Sequence, residues 1–191
     1  MRAPAGKSVP TLVTYLEMTS EPPARPLRSP LPGIEIRLAR QPTASFYRYL
    51  YGSIGRDWTW VVRQLLSDAE LLQIIADPAV EVNVLWVEGV PAGYAELDRR
   101  AAPDVELAYF GLVPEFVGRG LGRHLLDWTV RHAWRARPRR LWVHTCDLDH
   151  PRALAVYQKS GFRAYDQRVE QLELPAGLAG LKRADGQGRS R

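Results

Sequence analysis

The stretch that most constrains this chain is Val105 to Arg123, V-E-L-A-Y-F-G-L-V-P-E-F-V-G-R-G-L-G-R. An apolar, β-rich run ends at Pro114. A loop carrying Gly118, Gly120 and Gly122 follows, and Leu121, Leu125, Thr129 and Ala133 then recur at helical spacing. A strand, a glycine loop and a helix start bring unpaired backbone N–H groups and the positive end of a helix dipole to one point. Such a point suits a phosphate or pyrophosphate. Glycines let the anion reach the backbone and tolerate φ > 0 where the loop needs it.

A phosphate-cradling P-loop requires Lys-Ser/Thr after its last glycine, and Arg123-His124 stands there instead. A dinucleotide-binding unit reads G-x-G-x-x-G near the start of a parallel sheet, whereas this loop reads G-x-G-x-G late in the chain. Val113 to Gly122 resembles the acetyl-CoA pyrophosphate loop of the GNAT superfamily of N-acetyltransferases, Gln/Arg-x-x-Gly-x-Gly/Ala. The pattern falls on Val117-Gly118-Arg119-Gly120-Leu121-Gly122, with Val117 where Gln or Arg is usual. The resemblance implies cofactor contacts from Val117 through Arg123, chiefly by backbone amides. A glycine-rich helix start with no ligand is the alternative.

The chain has 191 residues, 46% hydrophobic and 25% charged, a composition able to bury a core. No apolar run approaches the roughly 20 residues of a membrane span, and the N-terminus lacks the apolar core of a secretory signal. Cys146 is the single cysteine, so a reducing cytoplasm is expected and no internal disulfide can form. In L-W-V-H-T-C it reads as a small buried strand residue. The net charge of +5 concentrates in Arg131 to Arg140 and in the C-terminal tail. Cations at a helix C-terminus complement the dipole, and no nucleic-acid motif accompanies them, so neither nucleic acid nor membrane is expected as a partner. The four histidines, His124, His132, His144 and His150, show no ligand spacing supported by cysteines, and no metal is expected.

Along the chain, residues 1–8 read as disordered and Thr11 to Met18 as a strand. Glu21 to Gly33, with five prolines, reads as an extended linker. That first strand is either an accessory edge strand or a piece exchanged with a partner subunit, which would make a homodimer. Ile34 to Arg40 alternates as a half-buried strand. A helix opens at Pro42 and is broken by Gly52 and Gly55. A second helix starts from a Ser67 cap, with Asp68 and Glu70 in its first turn, and ends near Ala76. Val80 to Val87 and Ala92 to Leu97 form a hairpin about Glu88-Gly89. After the glycine-loop helix, Leu141 to Thr145 is a strand. Asp149-His150-Pro151 caps a helix that Gly161 stops, and Ala164 to Leu174 is the last strand before a basic tail over 175–191. The domains expected are an extension over 1–33, an α/β domain over 34–174 and the tail. This order is also that of the GNAT fold, which implies a mixed central sheet flanked by helices.

Two further matches carry the resemblance. In Ala153-x-x-x-Tyr157-x-x-x-Gly161-Phe162, Ala153 and Tyr157 share a helix face. The resemblance implies that Ala153 leaves room for the pantetheine arm and that Tyr157 protonates the departing thiolate. His150 stands where the family often has a cofactor-contacting Asn. The third match is Glu106. An amine nucleophile is protonated at neutral pH, so acyl transfer needs a base, and Glu106 lies where some members carry a catalytic glutamate, with Glu96 in reserve. The strand backbone at Phe110, Gly111 and Leu112 is implied to pair with pantetheine, and an N–H near Leu112 to serve the oxyanion where two parallel strands splay. Tyr157 also reads as a core aromatic, and Glu106 as an outward-facing strand residue. Substrate choice is expected from Phe46 to Trp60, whose aromatics read either as a cage for an amine or as core and lid packing.

The reading is an N-acetyltransferase that moves an acetyl group from acetyl-CoA to a primary amine of a small molecule or peptide, by direct attack in a ternary complex. A non-catalytic acyl-CoA-binding or sensor module and a basic nucleic-acid-binding protein are the rival classes.

Overall fold

The computed structural model describes residues 7–23, 26–27 and 29–174. It is a mixed α/β domain built on one seven-stranded sheet. The strands are β1 (Lys7–Met18), β2 (Ile34–Leu38), β3 (Val80–Val87), β4 (Val90–Asp98), β5 (Asp104–Leu112), β6 (Arg140–Cys146) and β7 (Arg163–Leu174). The helices are α1 (Ala44–Gly55), α2 (Val62–Leu65), α3 (Asp68–Ile75), α4 (Leu121–Trp134) and α5 (Ala153–Lys159). In space the strands run β2-β3-β4-β5-β6-β1-β7.

All neighbours are antiparallel except β5 and β6, which α4 joins as a parallel crossover. The N-terminal strand is therefore not at an edge. β1 is inserted between β6 and β7, with Val13 to Met18 against Cys146 to Leu141 on one side and Lys7 to Glu17 against β7 on the other. Lys7 and Ser8, expected outside any element, begin this strand. The remaining N-terminal residues and the basic tail lie outside the described residues.

Each sheet face carries its own core. The helical spacing of Leu121, Leu125, Thr129 and Ala133 puts all four on one side of α4, where each is fully buried. There they pack over Leu97, Val105, Leu107, Leu141 and Val143. On the opposite face, Tyr47, Leu50, Tyr51 and Ile54 of α1 and Leu71 and Ile75 of α3 cover Val82, Val84 and Tyr94. The Ser67 cap is realised as a full capping box, with Ser67 and Glu70 satisfying each other's backbone N–H groups.

Two local expectations are corrected, and one short element is added. The first helix is capped by Thr43, which accepts from the Phe46 N–H (3.2 Å), and it passes through Gly52 to end at Gly55. A Cβ on Gly55 would stand 2.3 Å from Trp60 Cβ, so glycine is required where the chain doubles back. The four-residue α2, too short for a periodic signal, was not anticipated. Asp149 does not cap α5: its Oδ2 accepts from Thr145 Oγ1 (2.9 Å) and the Cys146 N–H (3.0 Å), and the helix starts only at Ala153. With that carboxylate holding the end of β6, Pro151 lies in a turn ahead of the helix.

Candidate active site

The parallel pair β5–β6 stays in register for three rungs, Asp104 with Arg140, Val105 with Leu141 and Glu106 with Trp142, and then parts. Beyond Glu106, β5 keeps β4 on one side and, among the described residues, has no strand on the other. The Val113 N–H donates to Ala92 O (2.9 Å). Because successive residues of a strand turn their N–H and C=O to opposite sides, Leu112 and Phe110 direct theirs into the gap. The strands thus part earlier than expected, directly after Glu106 rather than near Leu112, and main-chain donors and acceptors line the gap up to Leu112. Gly111 alternates with them and faces the α1 side, where a Cβ would lie 2.4 Å from Ile54 Cγ2.

The glycine loop lies directly beyond the end of β5. Pro114–Phe116 form one 3-10 turn, and Gly118 and Gly120 adopt φ of +88° and +79°, a region that costs other residues strain. Gly120 is the N-cap of α4 and supplies no side-chain cap. The first amide to find an intrahelical carbonyl is that of His124, bonded to Gly120 O (3.2 Å). The N–H groups of Leu121, Gly122 and Arg123 therefore lack an intrahelical partner at the positive end of the helix dipole. A Cβ on Gly118 would meet nothing within 4 Å, one on Gly120 would meet Pro30 at 3.3 Å, and one on Gly122 would make ordinary contact with Leu112 at 3.6 Å. Val117 is 53% exposed. Arg119 lies over the Phe116 ring (5.3 Å) and Arg123 faces Asp127 (3.6 Å). The loop fits a pyrophosphate held by backbone.

The two carboxylates proposed for proton handling differ sharply. Glu96 is completely buried. Its Oε1 accepts from Arg63 Nη2 (2.6 Å) and its Oε2 from the Tyr47 hydroxyl (2.5 Å). Burial pushes its carboxyl up, against the opposing pull of Arg63 and Tyr47. Glu106 is on the same sheet face but half-open, and lines a cavity of about 300 Å³ with Asp98, Arg100, Ala101 and Trp142. Cross-strand register puts Asp98, Glu106 and Trp142 in one row. Glu106 Oε1 lies 3.4 Å from His144 Nδ1.

In the core on the α4 side of the sheet, Tyr157 is 7% exposed. It makes edge contacts with Phe110 (6.1 Å) and Phe162 (5.9 Å). Burial, with the charge of Asp149 adding, pushes its phenol far above the ordinary range, so it remains protonated. Ala153 is partly buried against the same core. His150 turns towards the segment after α1: its ring lies 4.9 Å from that of Trp58 and its Nδ1 accepts from the Arg152 N–H (3.1 Å). Trp60 Nε1 reaches Asp149 Oδ1 (3.4 Å), so the segment after α1 bridges to the loop after β6. Burial, followed by the charge of Asp149, pushes the Cys146 thiol up to about 12.

The Phe46–Trp60 aromatics are mostly packing. Tyr47 and Tyr51 are buried, and Phe46 stacks on Trp86. The rings that stand on the open face beside Glu106 come from elsewhere: Tyr15 of β1, Trp142 and His144 of β6, and Tyr165 of β7. The alternation in L-W-V-H-T-C marks Trp142 and His144 as one face. That Tyr15 joins them depends on β1 lying beside β6, which no local pattern reveals.

Comparison with known proteins agrees with this architecture. No curated protein matches the chain. Among solved structures, the tandem GNAT protein of the clavulanic acid pathway aligns with a TM-score of 0.61 at 19% identity, over 88% of this chain and 55% of its own. A GCN5-related N-acetyltransferase from Sphaerobacter thermophilus aligns with a TM-score of 0.56 at 16% identity, over 87% of this chain and 53% of its own. A Bacillus subtilis acetyltransferase in complex with CoA aligns with a TM-score of 0.51 at 19% identity, over 68% and 76%. At these identities the likeness is one of fold, and the chain spans about half the length of the first two. The model of the acetyltransferase (GNAT) family matches residues 47–162, from α1 through the Gly161-Phe162 pair, which is more than half of the chain. With its parted β5–β6 pair and its glycine loop at the head of α4, this chain belongs to the GNAT acetyltransferase family.

Proposed function

We propose that the chain transfers an acetyl group from acetyl-CoA to a primary amine by direct attack within a ternary complex. One observation carries this reading: β5 and β6 part immediately after Glu106, and the gap runs from that carboxylate to the unpaired amides at the head of α4. The amides from Gly118 to Arg123 hold the pyrophosphate. The backbone of Phe110 and Leu112 completes the broken sheet with the pantetheine arm, and an N–H there donates to the thioester oxygen as charge develops on it. Ala153 leaves room for the arm.

Glu106 removes the proton from the acceptor ammonium and Tyr157 supplies one to the departing thiolate. Glu106 is preferred to Glu96 because Glu96 has no exposure and both its oxygens are taken. Direct attack is preferred to a covalent acetyl-enzyme because a thiol pushed up to about 12 is a poor nucleophile at neutral pH. The cavity of about 300 Å³ beside Glu106 and the Trp142 indole is at the small end for ligand sites. It suits a small amine on a flat, apolar body.

The test is release of free CoA thiol from acetyl-CoA with a panel of phenethylamine, putrescine, an aminoglycoside and a lysine-containing peptide, each product identified by mass spectrometry. The account expects an N-acetylated product from at least one, with phenethylamine favoured. A second reading, acyl-CoA binding without turnover, draws on the burial of Tyr157 among Phe110 and Phe162. It predicts tight acetyl-CoA binding and no product from any amine.

A further inference from the structure

His144 stands outside the roles assigned above, yet it is in contact with the group that must lose a proton in every cycle. Its Nδ1 lies 3.4 Å from Glu106 Oε1, and 46% of its side chain is open to solvent, against 23% for Glu106. The ring is held rather than free. Tyr15 is its register partner on β1, with ring centroids 5.8 Å apart, and the Trp142 ring on its own strand is 6.1 Å away. The Tyr15 hydroxyl is in turn tied to Glu170 of β7.

Three carboxylates favour the charged imidazole, Glu106 from β5, Asp149 from the loop after β6 and Glu170 from β7, while the Arg168 guanidinium of β7 lies 5.3 Å over the neighbouring Tyr15 ring. Contact with the Glu106 carboxylate, 3.4 Å away, is the main reason its affinity for a proton is raised, with burial opposing it. Glu106 thus has a cavity on one side and, on the other, an imidazole whose far edge reaches water.

Resting on the acetyl-transfer reading, we propose that His144 relays to solvent the proton that Glu106 takes from the acceptor ammonium. The steps balance. The ammonium gives one proton to the Glu106 carboxylate, leaving the amine lone pair to attack. The carboxylic acid passes that proton to Nδ1 of the neutral, Nε2–H imidazole, which restores the carboxylate and forms an imidazolium beside it. The imidazolium returns one proton to water, and exchange with solvent restores the starting tautomer. Glu106 remains the base and His144 acts through it. The N-terminal strand, by supplying Tyr15, becomes part of the machinery.

Proton NMR titration of His144, assigned by the signal lost in His144→Asn, needs no acceptor. The expected midpoint lies above the ordinary 6.5, and Glu106→Gln lowers it by about one unit. A midpoint indifferent to Glu106→Gln overturns the relay. Kinetics with phenethylamine, or the fastest amine of the panel, give the second readout. His144→Asn lowers kcat by about 10-fold and abolishes the acid limb whose midpoint matches the NMR value. The double variant with Glu106→Gln is no slower than Glu106→Gln alone, because the two act in series. Additive losses, or a wild-type profile for His144→Asn, overturn the relay as well. Absence of turnover from every amine, with the NMR coupling intact, sinks the transfer reading and the relay with it while leaving the pair itself standing.

Discussion

Arg63 Nη2 lies 2.6 Å from Glu96 Oε1 in a buried pair, with the Tyr47 hydroxyl on the other carboxylate oxygen and Tyr109 beneath the guanidinium. Removing one partner of such a pair leaves an uncompensated charge in the core. Glu96→Ala is therefore expected to cost about 3–5 kcal/mol of stability, measured by urea unfolding. If the variant unfolds within about 1 kcal/mol of the parent, the pair is not the strut described here.

Gly118 and Gly120 need left-handed backbone, and Gly122 does not. Gly120→Val is expected to weaken acetyl-CoA binding by about 10- to 100-fold, the loss of one or two strong backbone contacts, with the fold retained by circular dichroism. Gly122→Ala and Val117→Ala are expected to stay within about 2-fold, since one Cβ has room and the other side chain is not invoked. Calorimetry showing a large loss for Val117→Ala would contradict the backbone account of the loop.

Glu81 ties β3 to α4 through His132 Nε2 (2.5 Å) and to Arg99 Nε (2.6 Å). Burial alone would raise its carboxyl, but the hydrogen bonds from His132 and Arg99 outweigh that and hold it at about 2, below the ordinary 4.5. A depressed carboxylate stabilises the fold fully above pH 4.5 and loses that contribution as the pH falls towards 2. Thermal unfolding should therefore steepen on acidification across that window, and Glu81→Gln should flatten it. Equal slopes for parent and variant would assign the acid sensitivity to other groups.

The sequence was most legible where local rules and tertiary packing agree. The ridge Leu121, Leu125, Thr129 and Ala133, the Ser67–Glu70 box and the glycine-terminated α5 follow from periodicity and capping chemistry. That β5 and β6 part at all was expected from family likeness rather than from any residue pattern, and the parting begins at Glu106 rather than near Leu112. What stayed hidden depends on long-range pairing. Nothing local tells that β1 enters between β6 and β7, so the Tyr15, Trp142 and His144 rings could not be assembled from the chain. Glu96 stood as the reserve to Glu106 because its partner Arg63 sits on a single helical turn without periodic signal. Asp149 has the composition of a cap, and a strand end won its carboxylate.

Tyr157→Phe removes one oxygen from a side chain otherwise held by Phe110 and Phe162. Turnover is expected to fall by about 100-fold, with acetyl-CoA affinity unchanged, since packing is kept and only the proton donor is lost. Unchanged kcat would make Tyr157 a core aromatic and move thiolate protonation to water.

The central claim is that Glu106 is the base of an amine acetyltransferase. Its most direct test is the pH dependence of N-acetylated product formation by the parent and by Glu106→Gln, followed by mass spectrometry with saturating acetyl-CoA. The account predicts a fall of about 100-fold or more near neutral pH, with partial recovery at high pH as free amine accumulates. A Glu106→Gln protein that keeps the parent's rate and profile would contradict it.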